Sequence, residues 1–313
     1  MNKTFMKKIG KKRKAKQEVK NEAVHNIADC LPGTAYAYKV FWKIHDVSVE
    51  KKPFCINTGI KELDEIIGGF CGGELVTICS RPSSGKTSFA ISMVNNFIYK
   101  RAQKVKAGFF SLETSGRVLI ERLIAINSSI SPMRLREGKL SWSEHDDICQ
   151  LIYDMNDSSV INLSIYDRPN TDVKTILSCI RHMVRNNGAK VIFIDSIQMI
   201  EDNTIIRALK KIALELDITI ICLTNIWREA GKDRPPMLAD LREYGLLEHF
   251  ADIILLLDDP TKRIEEQTLF SSVCNGGELD IKARDFQKPR KLRVAVAKNR
   301  YDNTGSFDIE IPF

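Results

Sequence analysis

Leu75-Val76-Thr77-Ile78-Cys79-Ser80-Arg81-Pro82-Ser83-Ser84-Gly85-Lys86-Thr87 is the stretch that decides the fold. Its first five residues form a short apolar run of the kind a buried parallel strand presents. Ser80 to Thr87 then follow the phosphate-binding pattern GxxxxGK[ST], with Ser80 in place of the first glycine, and a helical pattern continues over 87–100. A strand, a loop of small residues and a helix in that order is the frame such a loop needs, because backbone N–H groups and the helix N-terminus hold phosphate oxygens. Lys86 is expected to reach the β and γ phosphates, and the Thr87 hydroxyl to complete a magnesium site. The nucleotide-contacting set is Ser80, Arg81, Pro82, Ser83, Ser84, Gly85, Lys86, Thr87 and Ser88. GKT triplets also arise by chance, and it is the flanking strand and helix that give this one weight.

Outward from the loop, short β-branched runs alternate with longer helical patterns, the signature of parallel βαβ units with helices on both faces. The apolar runs predict strands over 75–79, 107–111, 191–194, 218–223, 253–257 and 292–297, and the helical spacing predicts helices over 87–100, 117–126, 144–153, 173–186 and 205–216. Asp302-Asn303-Thr304-Gly305 reads as a turn into a last strand over 306–311, an edge hairpin.

Two acids sit where such a loop needs them. Asp195 ends the apolar run Val191-Ile192-Phe193-Ile194, at a strand's carboxyl edge, and is the candidate for the carboxylate near magnesium; an Asp that merely caps a strand is the plain alternative. Glu113 ends the run Phe109-Phe110-Ser111-Leu112, about one βα unit after the loop, placed to activate an attacking water; the alternative is an ordinary acid in a helix's first turn.

The chain has 313 residues, 43% hydrophobic and 28% charged, which suits one large domain with an appendage. Its net charge of +7 is misleading. The first twenty residues carry nine Lys or Arg against Glu18, so the remainder is close to neutral and pI alone says nothing about nucleic-acid binding by the body. The organisation expected is a basic disordered tail over 1–20, a linker over 21–55 with one helix near 17–30 and an aromatic segment of unassigned role, and a motor-like domain over 56–313. The tail suits DNA contact, localisation or solubility. Eight cysteines without CxxC spacing read as reduced thiols, and no apolar stretch approaches a membrane span, so a cytoplasmic protein without membrane contact is expected.

The order and spacing of several segments resemble the carboxyl-terminal motor domain of DnaB-type replicative DNA helicases. The resemblance runs from about residue 57 to 313. It includes Thr58-Gly59-Ile60-Lys61-Glu62-Leu63-Asp64, the RPSxGKT loop, Ser111-Leu112-Glu113, and Asp195 followed by Gln198. It continues through Asp240-Leu241-Arg242-Glu243-Tyr244-Gly245, Glu248 and Ala251-Asp252 to Lys298-Asn299-Arg300. The DLRExG and KxR segments discriminate, since phosphate loops occur in many families.

The resemblance implies an α/β fold with a RecA-like P-loop NTPase core, mainly parallel sheet with helices on both faces and a C-terminal edge hairpin. It implies ATP and Mg2+ as ligands, and Lys86, Glu113, Asp195, Lys298 and Arg300 as the catalytic set, with Thr87 and Asp195 at the metal. Arg242, Glu243 and Gly245 then correspond to the loop that grips single-stranded DNA without reading its sequence, although a structural Arg–Glu pair in a turn fits the same residues. Lys298 and Arg300 correspond to the pair that reaches the next subunit's ATP site, with the arginine as finger; two solvated cations at a sheet edge are the alternative. The partners implied are single-stranded DNA, further copies of the chain in a homohexameric ring, and a primase or loader.

Departures matter too. Only a tail and a linker precede the motor segment, where the family has a collar domain, and Asn225 stands where a sensor Gln is usual, so its shorter side chain is expected to alter coupling to the DNA loop. Trp227 suits base stacking or packing. Two other classes stay open: a RecA- or RadA-like recombination or repair ATPase, and an ATP-binding adaptor of the replication machinery that does not unwind.

Overall fold

In the computed structural model, residues 37, 40, 41, 55–99, 105–156, 163–226, 234–264, 289–301 and 303–312 are described. The chain divides into two compact units, Met1–Phe54 and Cys55–Phe313, and the sheet with its helices belongs to the second. The basic tail, the linker helix near 17–30, most of the aromatic segment, Trp227 and the side chains of Arg242 and Glu243 lie outside the described residues.

The described strands are β1 (Leu75–Ser80), β2 (Ala107–Ser111), β3 (Leu163–Tyr166), β4 (Val191–Asp195), β5 (Thr219–Asn225), β6 (Ile253–Asp258), β7 (Arg290–Asn299) and β8 (Gly305–Ile311). They form one sheet in the order β3-β2-β4-β5-β1-β6-β7-β8. Pairing is parallel from β3 to β6, where helices make the crossovers. It is antiparallel for β6 with β7 and for β7 with β8, which only a short turn connects, so the expected edge hairpin is present.

The described helices are α1 (Lys61–Ile67), α2 (Lys86–Tyr99), α3 (Gly116–Ser128), α4 (Pro132–Glu137), α5 (Trp142–Asn156), α6 (Val173–Arg185), α7 (Ile205–Leu216) and α8 (Gly245–Phe250). Strand alternation decides which layer each residue joins. Phe109, Phe193 and Ile221 pack with α1, α2 and α3, and their neighbours Phe110, Ile192 and Ile220 pack with α6, α7 and α8. The rings of Phe109 and Phe193 stack at 5.7 Å. Both layers cover the parallel strands, so these read as continuous apolar runs rather than alternating ones.

The sequence pattern missed four of these elements, β3, α1, α4 and the six-residue α8. β3 is a four-residue edge strand whose side chains are only half-buried, too short for its alternation to stand out. α1 and α4 are single short helices closed by Gly68 and Gly138 at φ 70° and 65°. The cysteines also differ in part from expectation. Cys79 and Cys222 are buried free thiols, and burial pushes Cys222 up to about 12. Cys55 and Cys71 are instead joined as a disulfide, because the antiparallel bridge between Ile56 and Phe70 brings their Cα atoms to 4.4 Å.

At the edge where the parallel strands begin, Asp252 is fully buried. Its Oδ2 accepts from the Leu75 N–H at 2.8 Å and from Lys210 Nζ at 2.6 Å. Burial, reinforced by the charge of Asp252, pushes the neighbouring Glu74 carboxyl up to about 7, against the pull of the Cys71 N–H and Lys210. Removing the cation leaves buried carboxylate charge under-compensated. Lys210→Met is therefore expected to cost about 3 kcal/mol of stability, read as a lowered urea midpoint at unchanged slope; a midpoint equal to the parent's would contradict the assignment.

Candidate active site

The loop after β1 is held open by its own backbone and from behind. Ser80 is the last residue of β1, paired between Asn225 and Leu257, and its hydroxyl donates to the Arg81 carbonyl at 2.8 Å. Extended backbone needs no glycine, which explains the departure from the usual first Gly. The left-handed positions come later, at Ser83 (φ 59°) and Gly85 (φ 86°). A Cβ on Gly85 would also approach the Arg290 guanidinium at 3.3 Å. The Ser83 carbonyl accepts from Arg290 Nη2 at 2.6 Å and the Pro82 carbonyl from Lys262 Nζ at 3.0 Å. Arg290 is anchored in turn by buried Asp259, at 2.6 Å. Carbonyls drawn to cations on one side leave the loop's amide N–H groups for the other, the arrangement that receives phosphate.

On the front of the loop four side chains meet. Lys86 is buried and its Nζ donates to Asn225 Oδ1 at 2.7 Å. The Thr87 hydroxyl donates to Asp195 Oδ2 at 2.7 Å. The other carboxylate oxygen, Asp195 Oδ1, is buried and has no hydrogen-bond partner among the described residues. Burial raises the Asp195 carboxyl; Lys86, the Thr87 bond and Arg122 oppose it, and the charge of Glu113 adds to it. Glu113 is exposed just beyond β2, and its N–H donates to the Asp195 carbonyl at 3.1 Å. An orphaned carboxylate oxygen beside a Thr hydroxyl fits a magnesium ion completed by phosphate and water. Among the described residues no three His, Cys, Asp or Glu gather as an all-protein metal cage.

Lys298 and Arg300 are not brought to this cluster. Lys298 is paired with Ile254, near the start of β6, and Arg300 follows at the same edge. Lys298 Nζ donates to the Glu248 carbonyl at 2.6 Å, and Arg300 Nη2 to that of His249 at 3.2 Å. Arg300 Nη1 also lies at ion-pair distance, 3.1 Å, from Asp252 Oδ1. The loop leaves the far end of the same strands, roughly 15 Å away at 3.3 Å per residue. Arg242 and Glu243 belong to the 3-10 turn Leu238–Tyr244, and Gly245 opens α8 at φ −52°. Apart from its chain neighbours and its own helix backbone, no described residue has an atom within 4 Å of where a Gly245 Cβ would stand, so packing among the described residues does not call for glycine there.

Several residues to which the sequence assigned no role at the site bear on it. Gln198 Nε2 donates to Thr224 Oγ1 at 2.7 Å and to the Asn225 carbonyl at 3.0 Å, fixing the strand end that carries Asn225. Arg122 is half-buried near Asp195; burial lowers its guanidinium, and the charge of Asp195 offsets this only in part. Asp258-Asp259 ends an apolar strand as Asp195 does, a signal that was legible. Nothing in sequence marked Arg290 as the partner of Asp259.

Residues 55–312 match the family model described as DnaB-like helicase C terminal domain. The chain is 34% identical over 232 residues to "Replicative DNA helicase DnaB" of Treponema pallidum (strain Nichols), covering 71% of this chain and 52% of that protein. It is likewise 34% identical over 216 residues to the protein of that name from Geobacillus stearothermophilus, covering 64% and 46%. The chain thus spans about half the length of the curated relatives it matches. Among solved structures, an isolated ATPase domain superposes with a TM-score of 0.71 at 26% identity, covering 90% of this chain and 95% of that one. "The Structure Of A DnaB-Like Replicative Helicase And Its Interactions With Primase" gives 0.67 at 26% identity, covering 93% and 67%.

Proposed function

This chain belongs to the DnaB-like helicase C terminal domain family, and from that premise we propose that it is the ATP-hydrolysing motor of a replicative DNA helicase. It translocates along single-stranded DNA in the cytoplasm and separates the duplex, as a homohexameric ring whose ATP sites are shared between neighbours, served by a primase or loader. The observation that carries this reading is the meeting of Lys86, Thr87, Asp195 and Asn225 within hydrogen-bond distance in front of the loop, with Arg300 at the opposite end of the strands.

ATP enters with its β and γ phosphates against the loop N–H groups, and Lys86 exchanges or shares its Asn225 contact with the γ-phosphate. Thr87 Oγ1 and Asp195 Oδ1 would hold magnesium, which would supply positive charge against the phosphates. Glu113 orients the attacking water and accepts its proton. The neighbour's Arg300, with Lys298 beside it, stabilises charge developing on the γ-phosphoryl group. Asn225, continuous with the Gln198 contacts, reports the state of the phosphate. The turn with Arg242, Glu243 and Gly245 grips the strand, and the open space over Gly245 suits close approach of a DNA backbone.

The test is a single preparation assayed three ways: mass with ATP and oligo(dT), ATPase rate with and without oligo(dT), and unwinding of a forked duplex. A hexameric mass, stimulation by oligo(dT) and strand separation are expected. Filaments that exchange strands without unwinding would assign the chain to the RecA- or RadA-like class, and ATP binding without turnover to the adaptor class.

A further inference from the structure

The nucleotide loop and the turn read as the DNA-gripping element are tied together through the side chains of Arg81 and Arg234. Arg81, second residue of the loop, turns its guanidinium away from the front of the site, and its Nη2 donates to the Arg234 carbonyl at 2.7 Å. The Arg234 guanidinium then forks onto Asp240, Nη2 to Oδ1 at 2.7 Å and Nη1 to Oδ2 at 2.9 Å. Asp240 also accepts the Met237 N–H at 2.8 Å, which caps the turn Leu238–Tyr244. Next to it, fully buried Leu241 shares an apolar cluster with Cys79, the β1 residue two before Arg81. The turn's anchor therefore has two attachments to the loop's base: an apolar one that is fixed, and a polar one that runs through Arg234.

The two differ in what they transmit. Apolar contact tolerates sliding, whereas a bidentate Arg–carboxylate pair fixes direction as well as distance. Burial raises the Asp240 carboxyl, but the Arg234 bonds and the Met237 N–H outweigh it, with Arg81 contributing, so the carboxyl stays below its ordinary range and the fork stays charged. Arg81 has a second acceptor in Asp258, at 3.5 Å, longer than its bond to the Arg234 carbonyl. Any shift of the loop when phosphates arrive changes how Arg81 divides itself between these acceptors, and a pull on the Arg234 backbone is passed through its side chain to Asp240.

We propose that Arg234 is the positioning residue that couples nucleotide state to the strand-gripping turn, through Arg81 on one side and Asp240 on the other. This rests on the reading of the Arg242–Gly245 segment as a DNA contact. Arg234 belongs to neither the nucleotide loop nor the Arg242–Gly245 segment, and its side chain is 39% exposed, so its loss leaves the fold standing.

The experiment uses the full chain with Arg234→Ala and Arg234→Lys, measuring kcat and KM for ATP without DNA, then the increase in kcat on titration with oligo(dT). Expected for Arg234→Ala are basal kcat and KM within about twofold of the parent and stimulation reduced roughly tenfold, a coupling of ordinary allosteric size. Arg234→Lys keeps the charge but loses the fork, and is expected to fall between the two. Parent-like stimulation of Arg234→Ala would overturn the proposal, as would an equal fall in basal and stimulated rates, which marks a merely structural residue. If the parent itself shows no stimulation, the DNA reading fails first and the coupling with it, a result distinct from a stimulated parent with an equally stimulated variant.

Discussion

Subunits carrying Arg300→Ala, mixed with subunits carrying Lys86→Ala, are expected to recover part of an ATPase activity that each variant lacks alone. Each loss should be large, roughly a thousandfold in kcat, the lower end of what an arginine finger contributes to phosphoryl transfer. The reason for complementation is distance. Arg300 sits where β6 begins, against Asp252 and the His249 carbonyl, while Lys86 follows the carboxyl end of β1. An arginine side chain cannot bridge that span, so on the proposed reading the two residues of one chain serve different nucleotide sites. A junction between an Arg300→Ala subunit that supplies the loop and a Lys86→Ala subunit that supplies the finger has every part. Steady-state ATPase at saturating oligo(dT), across mixing ratios, checks this: activity should peak near equal proportions. A flat line at the single-variant level would reject shared sites and leave Arg300 as a partner of Asp252 and nothing more.

That partnership also shows where the sequence stopped being informative. The loop, the strand ends carrying Asp195 and Glu113, and the order of strands and helices were legible because each is local: an apolar run of strand length, then an acid or a glycine-lysine pair. Even the substitution of Ser80 for glycine has a local explanation once that residue is seen to finish a strand. What the sequence could not yield are contacts across the chain. Arg290 and Ser83 are 207 positions apart, and Arg81 and Arg234 are 153 apart. Nothing in the composition around Arg290 or Arg234 distinguishes them from the other basic residues. Asn225 illustrates the same limit in another way. Its type suggested altered coupling to the DNA loop; what it could not show is that the shorter side chain reaches Lys86 directly at 2.7 Å, because β5 ends level with the loop's first residue. Cys55 and Cys71 were unreadable as a pair for want of any spacing rule; only the Ile56–Phe70 bridge brings them together.

Asp195→Asn is expected to move activity and stability in opposite directions. The carboxylate is buried beneath the loop with one oxygen on Thr87 and the other without a hydrogen-bond partner among the described residues, and burial raises its carboxyl despite Lys86 nearby. Keeping such a charge unpaired costs stability that the fold recovers only if a cation arrives, as is common where function requires an unfavourable group. An asparagine fills the same space and its amide oxygen still accepts from Thr87, but it brings no charge to desolvate and none to hold magnesium. Without nucleotide, the variant's urea midpoint should therefore rise, by about 1 kcal/mol in stability. With ATP and Mg2+, its kcat should fall roughly a hundredfold or more, since a charge-bearing contact to the reacting phosphates is gone. The parent should gain stability on adding Mg2+ with a nonhydrolysable ATP analogue, and the variant should gain little. A variant that is less stable than the parent yet hydrolyses ATP normally would show Asp195 to be a structural strand cap, with its free oxygen solvated in solution. The opposed signs separate the two roles, because a cap loses stability when it is neutralised whereas a poised ligand gains it.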